Sequence, residues 1–212
     1  MTKVKVCGIT CPEDLLAAVE EGFDAVGFVV GVPASPRNLD MLTAQKLFSK
    51  VPVFVTSVLV TVWKSQEFLA QLCKSLQPDA VQIHGKSSLP ASFVGETTMN
   101  ADLIRAVDVN NYDVLEGKKA ITGYDAVLGD SGFGDKYGGT GRVHNWETSR
   151  RIRDDLKIPF ILAGGLTPDN VAAAISTVRP YAVDVSTGVE LSPGRKDRAK
   201  MSLFVRNAKD AV

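Results

Sequence analysis

The chain has 212 residues, of which 45% are hydrophobic, and its 24 lysines and arginines balance 24 aspartates and glutamates. This length and composition allow a substantial buried core, and zero net charge gives no indication of a nucleic-acid partner. No apolar stretch approaches the ~20 residues that span a bilayer, and the N-terminus lacks the basic-then-apolar order of a signal peptide. We therefore expect a soluble cytoplasmic protein with neither a membrane nor a nucleic-acid partner.

The cysteines and histidines are few. Cys7, Cys11 and Cys73 are an odd number without CxxC spacing, and only His84 and His144 could join them as metal ligands. The sequence therefore suggests neither a disulfide framework nor a zinc site. Free thiols suit a reducing compartment, and the composition leaves the oligomeric state open.

Eight short apolar, β-branched runs are typical of buried strands. They lie near residues 3–8, 24–30, 52–60, 79–83, 102–107, 124–129, 158–163 and 181–186. Helix-like stretches separate most of them, near residues 13–21, 42–49, 65–76, 146–156, 169–177 and 197–209. Two further intervals, 87–96 and 110–117, predict only irregular or abbreviated helices.

Alternating strands and helices in this number predict a single α/β domain over residues 1–212, folded as a (β/α)8 TIM barrel. A flavodoxin-like layered sheet is the main alternative. Two helix starts carry capping signals: Thr10-Cys11-Pro12-Glu13 has the form of a capping box, and Thr167-Pro168 places a hydroxyl before a first-turn proline.

Two polar residues stand at the ends of predicted strands that are far apart in sequence. Cys7 ends the first run and Asp130 ends the sixth. They can face one another only if the sheet curves round, and a thiol and a carboxyl could then divide proton removal and proton donation. Alternatively, Cys7 is a small buried core thiol and Asp130 caps a helix or loop.

Glycine and hydroxyl residues follow the last two predicted strands, where barrel enzymes commonly bind phosphate. Glycines let backbone N–H groups approach phosphate oxygens closely, and a helix N-terminus adds a favourable dipole. We expect a cradle formed by Gly164, Gly165, Ser186, Thr187 and Gly188. Each motif alone is equally compatible with a tight turn or a helix cap.

A third glycine group follows Asp130 in a long segment that also contains Gly132 and Gly134. It reads Gly138-Gly139-Thr140-Gly141. Loops on the catalytic face of a barrel are where closure is needed, so the segment could serve as a lid. The alternative is simple disorder.

Seven segments in order along the chain resemble the phosphoribosylanthranilate isomerase family. They are Val4–Thr10, Asp24–Phe28, Ser35–Arg37, Val81–Gly85, Gly138–Gly141, Pro159–Leu166 and Val183–Glu190. The resemblance implies a (β/α)8 barrel without a cofactor that acts in tryptophan biosynthesis. It implies an Amadori rearrangement of the phosphoribosyl substrate N-(5-phosphoribosyl)anthranilate into 1-(2-carboxyphenylamino)-1-deoxyribulose 5-phosphate.

The resemblance also implies roles for individual residues. Cys7 corresponds to the general base, Asp130 to the general acid and Arg37 to the arginine that binds the anthranilate end. A solvated loop arginine is the alternative for Arg37. His84 is equally compatible with substrate contact and with support, and Asp184 could orient the active-site loop or contact substrate hydroxyls. The acid role requires a raised pKa at Asp130, which desolvation would provide.

The chain departs from the family pattern in places. The third strand, read from Val53 to Val58, replaces a glycine-containing run that usually ends in asparagine, and Gly129 replaces an aliphatic residue. Three other functions compete: the histidine-pathway isomerase, which would want aspartates at both catalytic ends, a metal-dependent pentose phosphate epimerase, and an inactive barrel that only binds a phosphate ligand. Cys7 argues against the first, and the poor set of metal ligands argues against the second.

Overall fold

A computed structural model describes residues 1–85, 100–111, 121–131 and 145–211. Eight strands form one closed parallel sheet, in which β1 pairs with both β2 and β9. The strands are β1 Lys3–Cys7, β2 Ala25–Val30, β4 Thr56–Val62, β5 Ala80–His84, β6 Asp102–Asp108, β7 Ala126–Asp130, β8 Phe160–Leu162 and β9 Ala182–Val185, with a short β3 Asn38–Leu39 added beside β2. The predicted (β/α)8 barrel is confirmed, and the layered open sheet is wrong.

Helices connect the strands on the outside of the barrel. They are α1 Pro12–Glu20, α2 Met41–Phe48, α3 Gln66–Leu76, α4 Trp146–Asp155, α5 Val171–Val178 and α6 Arg198–Lys209. Each matches a predicted helix to within two residues. A one-turn 3-10 helix, Thr187–Val189, and a hairpin of β10 Glu190–Ser192 with β11 Arg195–Lys196 follow β9. The two weak intervals near 87–96 and 110–117 extend outside the described residues, and so does the predicted lid at 138–141.

Both predicted capping signals are wrong. The residue before α1 is Cys11, which makes no side-chain capping bond, and the Thr10 hydroxyl instead donates to the carbonyl of Gly194 in the hairpin. Helix α5 begins only at Val171 because Asn170 closes a turn ahead of it. The side-chain Oδ1 of Asn170 accepts the N–H of Thr167 at 2.8 Å. A long-range contact of Thr10 and a turn closed by Asn170 therefore take the place of the two predicted helix caps.

The third barrel strand lies later in the chain than its apolar run predicts. Residues 52–55 form a turn in which the N–H of Val55 donates to the carbonyl of Pro52. Val53 and Phe54 are 93% and 98% exposed, and the strand begins at Thr56. Hydrophobicity alone could not distinguish this exposed turn from a buried strand. The strand spans Thr56–Val62, so the first half of the segment Val53–Val58 lies outside it.

Alternation along the strands creates two apolar cores. Val4 and Val6 point outward to the helices, in a core shared with residues such as Phe28 and Phe204. The opposite faces fill the barrel interior with small and branched residues such as Val60 and Leu128. No helix within the described part of the chain is long and apolar enough to cross a membrane.

Candidate active site

A cavity opens at the carboxyl ends of the barrel strands. Six of the ten predicted site residues line it, namely Cys7, Arg37, His84, Asp130, Asp184 and Ser186. The apolar walls come from the barrel interior and include Val29, Val60 and Leu128. Since β1 and β7 lie on different sides of a closed sheet, the curvature of the barrel brings the thiol and the carboxyl to one cavity, as expected.

Asp130 is held in a form suited to carrying a proton. Its side chain is buried, and burial raises the pKa of the carboxyl to about 6, while the backbone N–H of Ser131 acts in the opposite direction. That N–H donates to Asp130 Oδ1 at 2.6 Å. Gly164 makes room for this arrangement, because a Cβ there would lie 2.8 Å from the same oxygen. The raised pKa expected at Asp130 is confirmed.

Cys7 is a partly buried thiol surrounded by charges. Burial raises the pKa of the thiol, Lys5 lowers it, Asp184 raises it, and Lys196 and Arg37 lower it. The net direction is upward, so the sulfur is a thiol near neutral pH before substrate arrives. The carbonyl of Cys7 accepts a hydrogen bond from Lys196 Nζ at 2.6 Å, which fixes the end of β1.

Arg37 forms part of a buried ionic cluster that the sequence reasoning missed. Its Nε and Nη2 donate to the two carboxylate oxygens of Glu190 at 2.8 and 2.6 Å. Lys196 Nζ also donates to Glu190 Oε1, at 2.8 Å. Burial would raise the pKa of Glu190, but Arg37 and Lys196 together hold it below its usual value. A solvated loop position for Arg37 is therefore wrong, because its exposure is only 9%.

Local sequence around Arg37 explains its placement. The N–H of Arg37 donates to the Ser35 hydroxyl at 3.2 Å, and the Asn38 side chain accepts the N–H of Val32 at 2.7 Å. Gly8 has φ of +80°, and a Cβ at this position would overlap the Arg37 side chain. The glycine directly after Cys7 is thus needed both for its backbone conformation and for space.

His84 ends β5 at the cavity wall. The side-chain amide of Gln82 contacts the His84 ring, with 2.6 Å between the Gln82 nitrogen and His84 Nε2. Burial lowers the pKa of His84 to about 3, with smaller contributions from Lys5 and Arg105. The ring is therefore neutral throughout the physiological range.

The two predicted phosphate loops lie against one another. Gly164 and Gly165 both have positive φ, at +86° and +67°. A Cβ on Gly188 would overlap the carbonyl oxygen of Leu166, so only glycine permits this contact between the loops after β8 and β9. Ser186 precedes the 3-10 helix that contains Thr187, but it makes no side-chain capping bond. Its alternative role as a simple cap is not realised.

Asp184 is bound to a residue that the sequence reasoning did not single out. Lys5 Nζ donates to Asp184 Oδ1 at 2.9 Å, and the two side chains are only 4% and 8% exposed. The signal in the sequence was a lysine at the centre of a strand buried on both faces, Val4-Lys5-Val6. No group of three or more His, Cys, Asp or Glu side chains in the described ranges could hold a metal ion.

Fold and site together define a class of protein: a (β/α)8 barrel enzyme with a carboxyl of raised pKa and a thiol in one cavity, next to paired glycine-rich loops. A family model for N-(5'-phosphoribosyl)anthranilate (PRA) isomerase matches residues 4–207. The enzyme of that name from Haloarcula marismortui is 43% identical, with 100% of this chain and 98% of the relative covered. The Halobacterium salinarum enzyme is 45% identical, with 98% and 96% covered.

Solved structures agree. Phosphoribosyl anthranilate isomerase from Thermotoga maritima has a TM-score of 0.85 at 38% identity, covering 99% of this chain and 100% of that one. A phosphoribosyl anthranilate isomerase in complex with reduced 1-(o-carboxyphenylamino)-1-deoxyribulose 5-phosphate has a TM-score of 0.81 at 35% identity, with the same coverage. The chain belongs to the phosphoribosylanthranilate isomerase family. The predictions of an isomerase and of tryptophan biosynthesis are confirmed.

Proposed function

We propose that this protein converts N-(5-phosphoribosyl)anthranilate into 1-(2-carboxyphenylamino)-1-deoxyribulose 5-phosphate, with Asp130 as general acid and Cys7 as general base. The observation that carries the proposal is that these two groups line the same cavity. The complex of a family member with a reduced form of this product supports the choice of substrate. The cytoplasmic location stays a prediction.

Ring opening is the first step, and Asp130 serves it. The carboxylic acid donates its proton to the ring oxygen while the amine lone pair forms the C1=N bond and the C1–O bond breaks. An acid with a pKa of about 6 retains a useful protonated fraction near neutral pH, unlike an ordinary aspartate. Asp130 becomes a carboxylate, and the substrate becomes a protonated Schiff base.

Proton removal from sugar C2 is the second step, and Cys7 serves it. The Cys7 thiol first releases its proton to solvent. The thiolate then takes the C2 proton, and the C–H electron pair forms the C1=C2 bond of an enolamine while the C=N pair returns to nitrogen. The enolamine then loses its C2 hydroxyl proton and gains a proton at C1, which yields the ketone. The positive Schiff base favours the thiolate at the moment when the base is needed, which matters because burial raises the pKa of Cys7.

The remaining predicted residues bind the two anionic ends of the substrate. Arg37 donates to Glu190 through Nε and Nη2, so the opposite edge of its guanidinium, at Nη1, is the edge that we assign to the anthranilate carboxylate. We assign the phosphate to the loops that hold Gly164, Gly165, Ser186, Thr187 and Gly188, whose contact through Leu166 keeps them together. A neutral His84 and Asp184 contact or support the sugar.

The test is the loss of anthranilate fluorescence when freshly made phosphoribosylanthranilate is added to the protein. Cys7→Ala and Asp130→Asn should each lower kcat by roughly 10² to 10⁴ while product still binds. Cys73→Ala is the matched control, since this thiol lies on α3 and is absent from the cavity lining; it should keep wild-type turnover. Near-normal turnover in Cys7→Ala or Asp130→Asn would refute the assignment of that residue.

Two outcomes would replace the proposed function. Turnover of the histidine-pathway substrate, and not of phosphoribosylanthranilate, in a coupled assay would identify the rival isomerase. Phosphate-ligand binding without turnover of either substrate would identify an inactive binding barrel. Complementation of a tryptophan auxotroph that lacks the isomerase would exclude the second of these.

A further inference from the structure

A buried lysine lies next to the sulfur of Cys7. Lys5 and Cys7 are two residues apart on β1, so their side chains project from the same face of the strand, into the barrel. Lys5 is only 3% exposed. A lysine in a barrel interior loses its hydration, so it requires compensation by an anion.

The space over Gly27 shows how near the ammonium is to the sulfur. Gly27 on β2 is the register partner of Cys7. A Cβ at Gly27 would lie 3.1 Å from Lys5 Nζ and 3.2 Å from Cys7 Sγ. Since Lys5 Nζ and Cys7 Sγ both lie close to this one position, they are within roughly 6 Å of one another. Over that range a charge shifts the pKa of its neighbour.

Asp184 holds the ammonium in this place from the other side. Lys5 and Asp184 are register partners on β1 and β9, and Lys5 Nζ donates to Asp184 Oδ1 at 2.9 Å. The order of groups is therefore carboxylate, ammonium, sulfur. With a thiol at Cys7 the pair is neutral, and a thiolate would give the ammonium a second anion.

We propose that Lys5 is a positioning residue for the reaction, whose ammonium is fixed by Asp184 beside Cys7 and stabilises the thiolate. The inference rests on the proposed role of Cys7 as the base. It goes beyond that role because it names the group that makes a partly buried thiol usable as a base. It also gives Asp184 a defined function, which is to fix the position of Lys5 and to make the Lys5–Asp184 pair neutral.

Other charges also face Cys7. Lys196 on β11 donates to the carbonyl of Cys7, and Arg37 lies in the loop before β3. These two cations share the single carboxylate of Glu190. They tie the hairpin and the substrate arginine together, so replacing either would disturb the site broadly. Lys5 and Asp184 are the pair whose charges can be changed without breaking that cluster.

The experiment is the pH dependence of Cys7 alkylation by iodoacetamide, measured without substrate on a Cys11→Ser, Cys73→Ser background. Lys5→Met should raise the midpoint by at least about one pH unit and slow alkylation at pH 7.5 roughly tenfold. Asp184→Asn should shift the midpoint in the opposite direction, because it leaves the ammonium for the sulfur alone. Lys3→Met is the matched control on the same strand: its side chain is 55% exposed and bound to Asp24, and the midpoint should not move.

Opposite shifts separate this role from structural damage, which would change both variants in the same direction. If Lys5→Met alone does not fold, the double variant Lys5→Met, Asp184→Asn removes both buried charges together. Its alkylation midpoint should lie above that of Asp184→Asn. An unchanged alkylation midpoint in Lys5→Met would overturn the inference. So would shifts of the same sign in Lys5→Met and Asp184→Asn. Neither result touches the base role of Cys7, which turnover of Cys7→Ala decides separately.

Discussion

Replacing Asp130 by asparagine should make the protein more stable and less active, and the stability effect should depend on pH. The pKa of Asp130 is about 6 in the folded protein against an ordinary value of 3.8. Below the ordinary value the group is protonated in both the folded and the unfolded chain. As the pH rises through the interval between them, the unfolded chain releases its proton first, so the folded state is progressively disfavoured.

The size of the effect follows from that interval. At about 1.36 kcal/mol per pH unit, ionised Asp130 destabilises the fold by about 3 kcal/mol once the pH exceeds 6. Asparagine does not ionise and keeps an oxygen to accept the N–H of Ser131. Because the unfolded chain is already about half ionised at this residue at pH 4, the free energy of unfolding of Asp130→Asn minus that of the wild type should increase by about 2 kcal/mol between pH 4 and pH 7.

The assay is urea unfolding at pH 4, 5, 6 and 7, followed by tryptophan fluorescence, together with kcat at pH 7. Comparing each pH with pH 4 cancels effects of the substitution that do not involve ionisation. If Asp130 served only as a cap for Ser131, the N–H would lower the pKa of the carboxyl, so the stability of Asp130→Asn relative to the wild type would fall as the pH rises. Such a fall, or parallel stability curves for the variant and the wild type, would therefore refute the raised pKa and, with it, the reason for assigning the acid.

Three further predictions concern the parts of the site that we assign to the two anionic ends of the substrate. Glu190→Gln removes the carboxylate shared by Arg37 and Lys196, so it should lower the free energy of unfolding by roughly 3–5 kcal/mol in urea and raise KM; an unchanged denaturation midpoint would contradict the cluster. Arg37→Lys should raise KM at least about tenfold, because lysine lacks the paired donors, and a wild-type KM would remove Arg37 from the site. Gly188→Ala forces apart the loops that meet at Leu166, so competitive inhibition by inorganic phosphate should weaken at least about tenfold; equal inhibition would place phosphate elsewhere.

Most of the fold could be predicted because its signals are local. Eight apolar runs separated by helical stretches determine a closed barrel, and seven of the strands begin within two residues of their runs. The third strand was misplaced because Val53 and Phe54 are as hydrophobic as a strand, yet lie exposed in a turn. The Thr10 cap failed for a related reason, since its hydroxyl donates to Gly194, 184 positions away.

In the site, too, local features could be predicted from the sequence and long-range contacts could not. Cys7 and Asp130 could be predicted because strand ends meet at one rim of a parallel barrel. The partners of these residues could not, since they depend on how the chain returns after β9. Lys196, which holds the carbonyl of Cys7, is 189 positions away in a short hairpin whose sequence resembles an ordinary polar loop. Glu190 ends the segment Val183–Glu190 that resembles the family, but only the structure reveals that it binds two cations at once.

The charges around Cys7 suggest when the base becomes active. Three cations near Cys7, namely Lys5, Arg37 and Lys196, pair with the two carboxylates of Asp184 and Glu190. Asp130 lines the same cavity and adds a third negative charge where it is ionised, above a pH of about 6. An anthranilate carboxylate at Arg37 would add negative charge and leave Lys5 as the near cation of the sulfur. Burial then keeps Cys7 protonated until ring opening creates the positive Schiff base, which adds positive charge beside the thiol. If Asp130 is the acid and Cys7 the base, as proposed, Asp130 has to act first, and the order of the two proton transfers follows from electrostatics without any movement of the barrel.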